Sequence, residues 1–237
     1  IMRFHGVTPR EPWAYSRYAV SVYKFYAWLR ENLLKYSVHT AEEAHKTGIP
    51  MMRPLPMVFP EDKEAVYWED EYFYGSDLLV APVHQEGEKR RIYFPSGSWI
   101  NLLDFRKMVG GNRILQVDVP IDKIPVYIRE GACILSVMNG ELQLGQSMTY
   151  EKKNTVLMSR ALNETSGKRY ADGKEIEYNI LGQTGEDFFM LRHASETEFI
   201  VLLGFDRKPE SLELNGVSLS EGASLNALNY GSGWYWR

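Results

Sequence analysis

Apolar residues recur at alternating spacings of four and three between residues 14 and 47, a stretch that contains neither Gly nor Pro. This period places the apolar side chains on one face of an α-helix. Pro12 precedes the stretch and Gly48 follows it, as expected at the two ends of a helix. We therefore predict a long helix over residues 14–47 and leave open a break near Ser37. The apolar stripe consists of Tyr15, Ala19, Val22, Tyr26, Leu29, Leu33 and Tyr36.

Residues 49–60, IPMMRPLPMVFP, form a short apolar segment that contains several prolines. Pro54 and Pro56 cannot donate hydrogen bonds to a neighbouring strand. We predict a short, buried strand of the parallel type whose end runs directly into a loop.

From about residue 76 onward, short β-like runs alternate with Gly, Ser, Asn and Pro. Many short strands with turn signals at this spacing are typical of antiparallel β-sandwiches. In the segment SLELNGVSL, Asn215-Gly216 is a strong signal for a two-residue hairpin. The polar stretch 140–154 is the best candidate for a linker between two sandwich modules. The other runs are LLVAPV, RRIYFP, SWINLL, ILQVDVP, IPVYIREGACILSVM, TVLMSRAL, EIEYNIL, DFFMLRHA and EFIVLLGF.

Composition limits the possible classes of function. A chain of 237 residues can bury a sizeable core, and its net charge of −4 argues against a nucleic-acid partner. No apolar stretch approaches the length of a membrane span, so we predict no membrane partner. Cys133 is the only cysteine, which excludes a disulfide within the chain, and its apolar surroundings predict a buried, inert thiol. The 13% aromatic content suits core packing and also sugar binding.

Three motifs with catalytic or modifiable residue types are weak candidates for function. Glu42-x-x-His45 has the spacing of a metal motif, but the second copy that such a site needs is missing, which favours a solvated helix end. Glu69-Asp70-Glu71 could supply acid–base chemistry, although adjacent side chains point in different directions and an exposed acidic loop is the favoured interpretation. Asn163-Glu164-Thr165 matches a glycosylation acceptor pattern that is common by chance. We predict no metal and no cofactor.

The first thirteen residues, IMRFHGVTPREPW, crowd polar and aromatic side chains into a stretch broken by Gly and Pro. His5 precedes Gly6, so the backbone can turn sharply while the imidazole points away from the chain. These residues alone leave two interpretations of His5 open. It either contacts a substrate or is merely hydrogen-bonded within a loop.

Three motifs in sequence order carry a resemblance to a known family: MRFHG…REPW, GIPMMRPLPMVFPED and YFYGSDLLVAPV. Together they resemble the C-terminal part of glycoside hydrolase family 31, which comprises α-glucosidases, α-xylosidases and related retaining enzymes. The resemblance runs to about Gly131. It implies a mixed, mainly β fold, in which the end of a (β/α)8 barrel is followed by two antiparallel β-sandwich domains. The implied boundaries are 1–75 for the barrel end, 76–138 for the proximal sandwich and 139–237 for the distal sandwich.

By the same resemblance, His5 corresponds to the family histidine that hydrogen-bonds hydroxyls of the sugar in subsite −1. A neutral imidazole can both donate and accept there. Both catalytic Asp residues of the family precede this motif, so the resemblance assigns no catalytic residue within the chain.

The implied function is that of a C-terminal fragment of a retaining α-glycosidase, itself inactive. The parent would hydrolyse α-linked glucosides or xylosides, so its partner would be a small-molecule or oligosaccharide substrate. A non-catalytic carbohydrate-binding or scaffolding β-sandwich protein is the alternative. A purely structural sandwich protein is disfavoured by the ordered run of motifs.

The end of a barrel would leave apolar surface uncovered on the helix and on segment 49–60. An open strand edge and an exposed apolar patch both promote association. We therefore predict that the N-terminal third either docks its helix on the proximal sandwich or buries this surface in self-association.

Overall fold

The computed structural model describes residues 7–105, 108–139, 142–148, 154–159, 165–171, 174–183, 186–193 and 200–203, and also 213–214, 217–218, 220–222 and 233–234. The chain forms two compact units, residues 1–203 and residues 204–237. Its described part is mainly β, and most of its strand pairs are antiparallel. The mainly β, largely antiparallel part of the predicted fold class is confirmed, whereas the end of a (β/α)8 barrel stays a prediction.

The predicted long helix forms as two consecutive helices, α1 (Arg17–Asn32) and α2 (Leu34–Thr47), preceded by a single 3-10 turn at Pro12–Ala14. The hydroxyl of Ser16 caps α1 by accepting a hydrogen bond from the backbone of Ala19. No helix within the described residues is long and apolar enough to cross a membrane.

The break between the helices lies at Leu33, earlier than the break considered near Ser37. The Ser37 hydroxyl donates to the Leu33 carbonyl oxygen at 2.9 Å, so it bonds within the first turn of α2. Gly48 ends α2 with φ of +76°, a backbone conformation that glycine adopts without steric cost.

The apolar stripe is buried in its C-terminal half only. Leu29 and Tyr36 are buried, whereas Tyr15 is 69% exposed, so the start of the stripe is left uncovered. The helices pack on strand β9 (Cys133–Met138), where the Asn32 amide donates to the Val137 carbonyl oxygen. Both alternatives predicted for the N-terminal third, docking on the proximal sandwich and self-association, stay predictions.

Segment 49–60 contains only a short strand, β1 (Met52–Pro54), which leads into a short helix, α3 (Leu55–Val58). β1 pairs antiparallel with β2 (Tyr72–Tyr74), so the prediction of a parallel strand is wrong for this structure. The two prolines explain the short length, because Pro54 ends the strand and Pro56 lies in the first turn of α3.

Two sheets share one apolar core. The larger sheet has the order β1-β2-β3-β8-β5-β6, and β4 pairs with β7 in the second. The core combines Phe73, Leu79 and Trp99 of the large sheet with Ile92 and Phe94 of β4. This arrangement fits the predicted sandwich. The remaining strands are β3 (Leu78–Val80), β4 (Lys89–Phe94), β5 (Ser98–Asn101), β6 (Met108–Gly110), β7 (Arg113–Asp118) and β8 (Val126–Arg129).

Two three-stranded sheets follow, with the orders β14-β10-β9 and β11-β12-β13. β9 and β10 are antiparallel neighbours, so the predicted linker 140–154 joins two strands of one sheet. β10 and β14 pair in parallel, which departs from the expectation of purely antiparallel modules. The domain boundary near residue 138 stays a prediction. The new strands are β10 (Asn154–Ser159), β11 (Thr165–Ala171), β12 (Lys174–Gln183), β13 (Glu186–His193) and β14 (Ile200–Leu203).

In the second unit, β15 (Glu213–Leu214) pairs antiparallel with β16 (Val217–Ser218). Leu214 lies opposite Val217, the register expected for a hairpin with a two-residue turn, so the hairpin prediction is confirmed. β17 (Ser220–Glu221) pairs in parallel with β18 (Gly233–Trp234).

Candidate functional site

The predicted site residue His5 lies outside the described residues, which begin at Val7. Its assignment to a sugar subsite therefore stays a prediction. In the described remainder of the N-terminal motif, the Trp13 ring is 73% exposed.

The weak metal candidate on α2 is a solvated helix end, as predicted. Glu42 and His45 are both exposed. Among the described residues, no group of three or more His, Cys, Asp or Glu side chains could hold a metal ion.

The acidic run at residues 69–71 differs from its prediction as an exposed loop. Glu69 is exposed, but the Glu71 side chain is fully buried and accepts a hydrogen bond from the Tyr93 backbone at 3.0 Å. Its second oxygen, Oε2, is buried without a hydrogen-bond partner. Burial raises the pKa of Glu71 to about 8, so this carboxyl is largely protonated at neutral pH. The prediction of an exposed loop is wrong for this residue, because its side chain extends to the backbone of β4.

Asp70 and Glu71 face one buried cation, Arg90. The guanidinium lies 2.9 Å from Asp70 Oδ1 and 3.7 Å from Glu71 Oε1, and Asp70 also lies 3.2 Å from His84 Nε2. Arg90 further donates to the Pro82 carbonyl oxygen. The acidic run is therefore part of a network that ties the start of β2 to β4.

The motif YGSD, residues 74–77, lies at the centre of a polar cluster. This cluster, called the polar hub, consists of Tyr36, Gly75, Asp77 and Arg169. The Tyr36 hydroxyl donates to the Tyr74 carbonyl oxygen and accepts from the Asp77 backbone. Gly75 has φ of +66°, and a Cβ atom there would lie 2.3 Å from the Tyr36 hydroxyl, so the hub requires glycine at this position.

The hub is closed by a buried ion pair in which Arg169 Nη2 donates to Asp77 Oδ2 at 2.7 Å. Arg169 Nε donates to the carbonyl oxygen of Cys133, whose thiol is buried. Burial raises the pKa of Cys133 to about 12, which confirms the predicted inert thiol. Burial and the charge of Arg169 lower the pKa of His39 to about 4, so this imidazole is neutral at physiological pH.

An open groove of about 490 Å³ lies beside α3. It is lined by residues 58–63, which overlap the end of segment 49–60, and by Ser96 and Asn112. Ser96 lies between β4 and β5, and Asn112 lies between β6 and β7. Sequence reasoning missed this groove, because nothing in the local pattern indicates that these three segments meet.

Comparisons with known proteins place this arrangement in a family. The model of the glycosyl hydrolase family 31 C-terminal domain matches residues 48–134. The isomaltosyltransferase of Sporosarcina globispora is 27% identical over the whole chain, which covers 23% of that protein. The α-xylosidase of Saccharolobus solfataricus is 34% identical over 56% of the chain, which covers 19% of that protein.

The solved structure of the cycloalternan-forming enzyme from Listeria monocytogenes, in complex with a pentasaccharide substrate, matches 97% of the chain with a TM-score of 0.89 and 25% identity. The chain covers 23% of that structure. It thus spans about a fifth of the length of the proteins that it matches. Residues 48–134 thus match the C-terminal domain of glycoside hydrolase family 31, and the chain as a whole is similar to a part of longer proteins of that family.

Proposed function

We propose that the chain is part of a family 31 enzyme that hydrolyses or transfers α-glucosyl units with retention, and that the chain alone is inactive. The observation that carries this proposal is the extent of similarity. The isomaltosyltransferase aligns with the whole chain, whereas the α-xylosidase aligns with 56% of it. The α-glucosyl unit is proposed from the isomaltosyltransferase alone, because an α-glucosidase of Bacillus thermoamyloliquefaciens aligns with 54% of the chain, so the aligned share does not separate α-glucosides from α-xylosides.

The contacts of the enclosed carboxylates support inactivity of the chain alone. Retaining glycosidases need two carboxyl groups about 5–5.5 Å apart that both reach the substrate. In the described part of the chain, Asp77 pairs with Arg169 and Glu43 pairs with Arg53. Glu71 carries a raised pKa, as a general acid would, but its side chain is fully buried and no substrate could reach it.

The experiment compares two proteins, the 237-residue chain and the longer protein encoded by extending its reading frame upstream. Both are assayed with aryl α-glucosides, aryl α-xylosides and isomaltose-type donors. We expect α-glucosyl turnover by the longer protein only. Turnover by the chain, lost on substitution of one of its own carboxylates, would overturn the inactivity. A longer protein that binds α-glucans without turnover would favour a non-catalytic carbohydrate-binding protein instead.

We further propose that His5 contacts the sugar in the longer protein. His5→Ala should then lower kcat/KM by about 10²-fold, since the lost hydrogen bond would be one that strengthens in the transition state. His45→Ala is the matched control, because His45 is exposed on α2. An unchanged kcat/KM for His5→Ala would contradict the sugar contact and favour a histidine that is only hydrogen-bonded within a loop.

A further inference from the structure

We propose that the groove between residues 58–63 and the residues Ser96 and Asn112 binds a neutral α-glucan. The choice of an α-glucan rests on the proposed function. The existence and chemistry of the groove rest on the structure alone.

The wall that carries Ser96 and Asn112 is rigid, because two turns lock together there. The Gly111 backbone donates to the Gly97 carbonyl oxygen at 2.7 Å, and a Cβ atom on Gly111 would lie 1.9 Å from the Pro95 carbonyl oxygen. The same Pro95 oxygen accepts from the buried indole of Trp99 at 2.9 Å. Asn112 follows directly in the left-handed region, with φ of +54°. A rigid wall lowers the entropy cost of binding.

The opposite wall is also fixed by hydrogen bonds. The Phe59 backbone donates to the Leu55 carbonyl oxygen, and the Asp62 backbone donates to the Phe59 carbonyl oxygen. The Asp62 carboxylate then accepts from the Tyr93 hydroxyl at 2.6 Å and from the Glu64 backbone at 3.0 Å. Residues 59–62 are thus attached to the core through β4.

The apolar part of the groove is formed by Val58, Phe59 and Pro60. Phe59 is half-buried, and its ring packs against Phe73 and Trp99 at centroid distances of 5.8 and 6.4 Å. A pyranose presents C–H faces and hydroxyl edges, so it needs an apolar ring beside hydrogen-bonding groups. The groove supplies hydrogen-bonding groups beside the Pro60 ring and the part of the Phe59 ring that is not covered by the Arg129 guanidinium, which lies 4.8 Å from the ring centroid.

The charges of the groove favour a neutral ligand. Glu61 and Asp62 are acidic and Lys63 is basic, which leaves no excess of positive charge for a phosphate or carboxylate. Ser96 and Asn112 can each donate and accept, as hydroxyl recognition requires. A neutral polyol fits this set better than an anion.

The test is a 15N NMR titration of the 237-residue chain with isomaltotriose and, separately, with glucose 6-phosphate. We expect isomaltotriose to shift the signals of residues 59–63, Ser96 and Asn112, and the anion to leave them unchanged. Asn112→Gly and Glu61→Gln should each raise Kd about fivefold, the loss expected for one hydrogen bond. Glycine keeps the left-handed backbone at position 112, so that variant should fold. Glu86→Gln is the matched control at an exposed site outside the groove.

Shifts outside the groove, unchanged affinity in both groove variants, or equal binding of glucose 6-phosphate would overturn the proposal. Absence of any shift would overturn it as well. These outcomes are separable from a failure of the proposed function, which is measured by turnover in the longer protein. Turnover by the longer protein without groove binding by the chain would overturn the groove proposal and leave the proposed function intact. If the chain binds isomaltotriose in the groove but the longer protein shows no turnover, the groove proposal is supported and the proposed function is overturned.

Discussion

The apolar core of the sandwich and the polar hub stabilise the first unit in different ways. Trp99 and Phe73 are fully buried in the core, where they contact other rings and aliphatic groups. In the hub, Asp77 and Arg169 are nearly as well buried, but each charge is compensated by the charge of the other. The core requires volume, which several side chains can supply, whereas the hub requires a matched pair of charges.

This difference teaches which substitutions the fold tolerates. A core position accepts another apolar side chain of similar volume, since packing is non-directional. A hub position does not accept even an isosteric change, because the remaining charge stays buried without compensation. A side chain of similar shape should therefore be tolerated at a core position. At a hub position, a side chain of similar shape should not be tolerated if it lacks the charge.

The largest effect is expected for Asp77→Asn. This change preserves the shape of the side chain but removes its charge, so Arg169 stays buried without its counter-ion. We expect the free energy of unfolding to fall by about 3–5 kcal/mol, measured by urea denaturation. Glu177→Gln is the matched control at an exposed carboxylate that pairs with Lys168, and its cost should stay below about 1 kcal/mol.

A double variant sharpens the same comparison. Asp77→Asn combined with Arg169→Met removes both charges, so part of the lost stability should return. Strict additivity of the two single costs would show that the ion pair is not coupled, and the distinction between hub and core would fail.

The second prediction concerns pH and Glu71. Burial raises the pKa of Glu71 from 4.5 to about 8, so the folded state holds a proton that the unfolded state releases over this range. Stability from this group is therefore fully present below pH 4.5 and is lost as pH rises through about 8, by at most about 1.4 kcal/mol per pH unit. Glu71→Gln should remove this dependence, as followed by urea denaturation from pH 5 to pH 9.

Glu69→Gln provides the matched control, because Glu69 is an exposed neighbour in the same acidic run. Its pH dependence should match that of the unchanged chain. If Glu71→Gln shows the same pH dependence as well, the carboxyl is ionised in the folded state and the assigned pKa direction is wrong.

The smallest effect is expected for Leu79→Met in the core. Leu79 is fully buried, but Met has a similar volume and a flexible side chain, so the cost should stay below about 1.5 kcal/mol. Leu103→Met is the control at an exposed position. A loss as large as that of Asp77→Asn would contradict the idea that the core requires volume alone.

Most strands were predictable, because alternation and turn residues are local signals. The run RRIYFP became β4, and Asn215-Gly216 marked the hairpin of β15 and β16. β11 was missed because its sequence, TSGKRYA, is polar, and its Arg169 is buried only through a partner far away in the sequence. β2 was missed because it is short and follows the acidic run.

The candidate site was less predictable than the fold. The burial of Glu71 depends on Tyr93 and Arg90, which lie on another strand, so a local charge run could not indicate it. The groove likewise combines residues 58–63 with two turns that are distant in sequence. The motif YGSD was recognised by resemblance, but the reason for its glycine emerged only from the contact with Tyr36.

The parallel pairing of β10 with β14 has a consequence for the order of folding. β9 and β10 are close in sequence and can pair early, whereas β14 can join only after β11, β12 and β13 have been passed. Closing such a long loop costs entropy before any contact compensates for it, so this step should be late and slow. During synthesis, β10 keeps one edge unpaired until Leu203 has left the ribosome, and in that interval the nascent chain is most prone to aggregation.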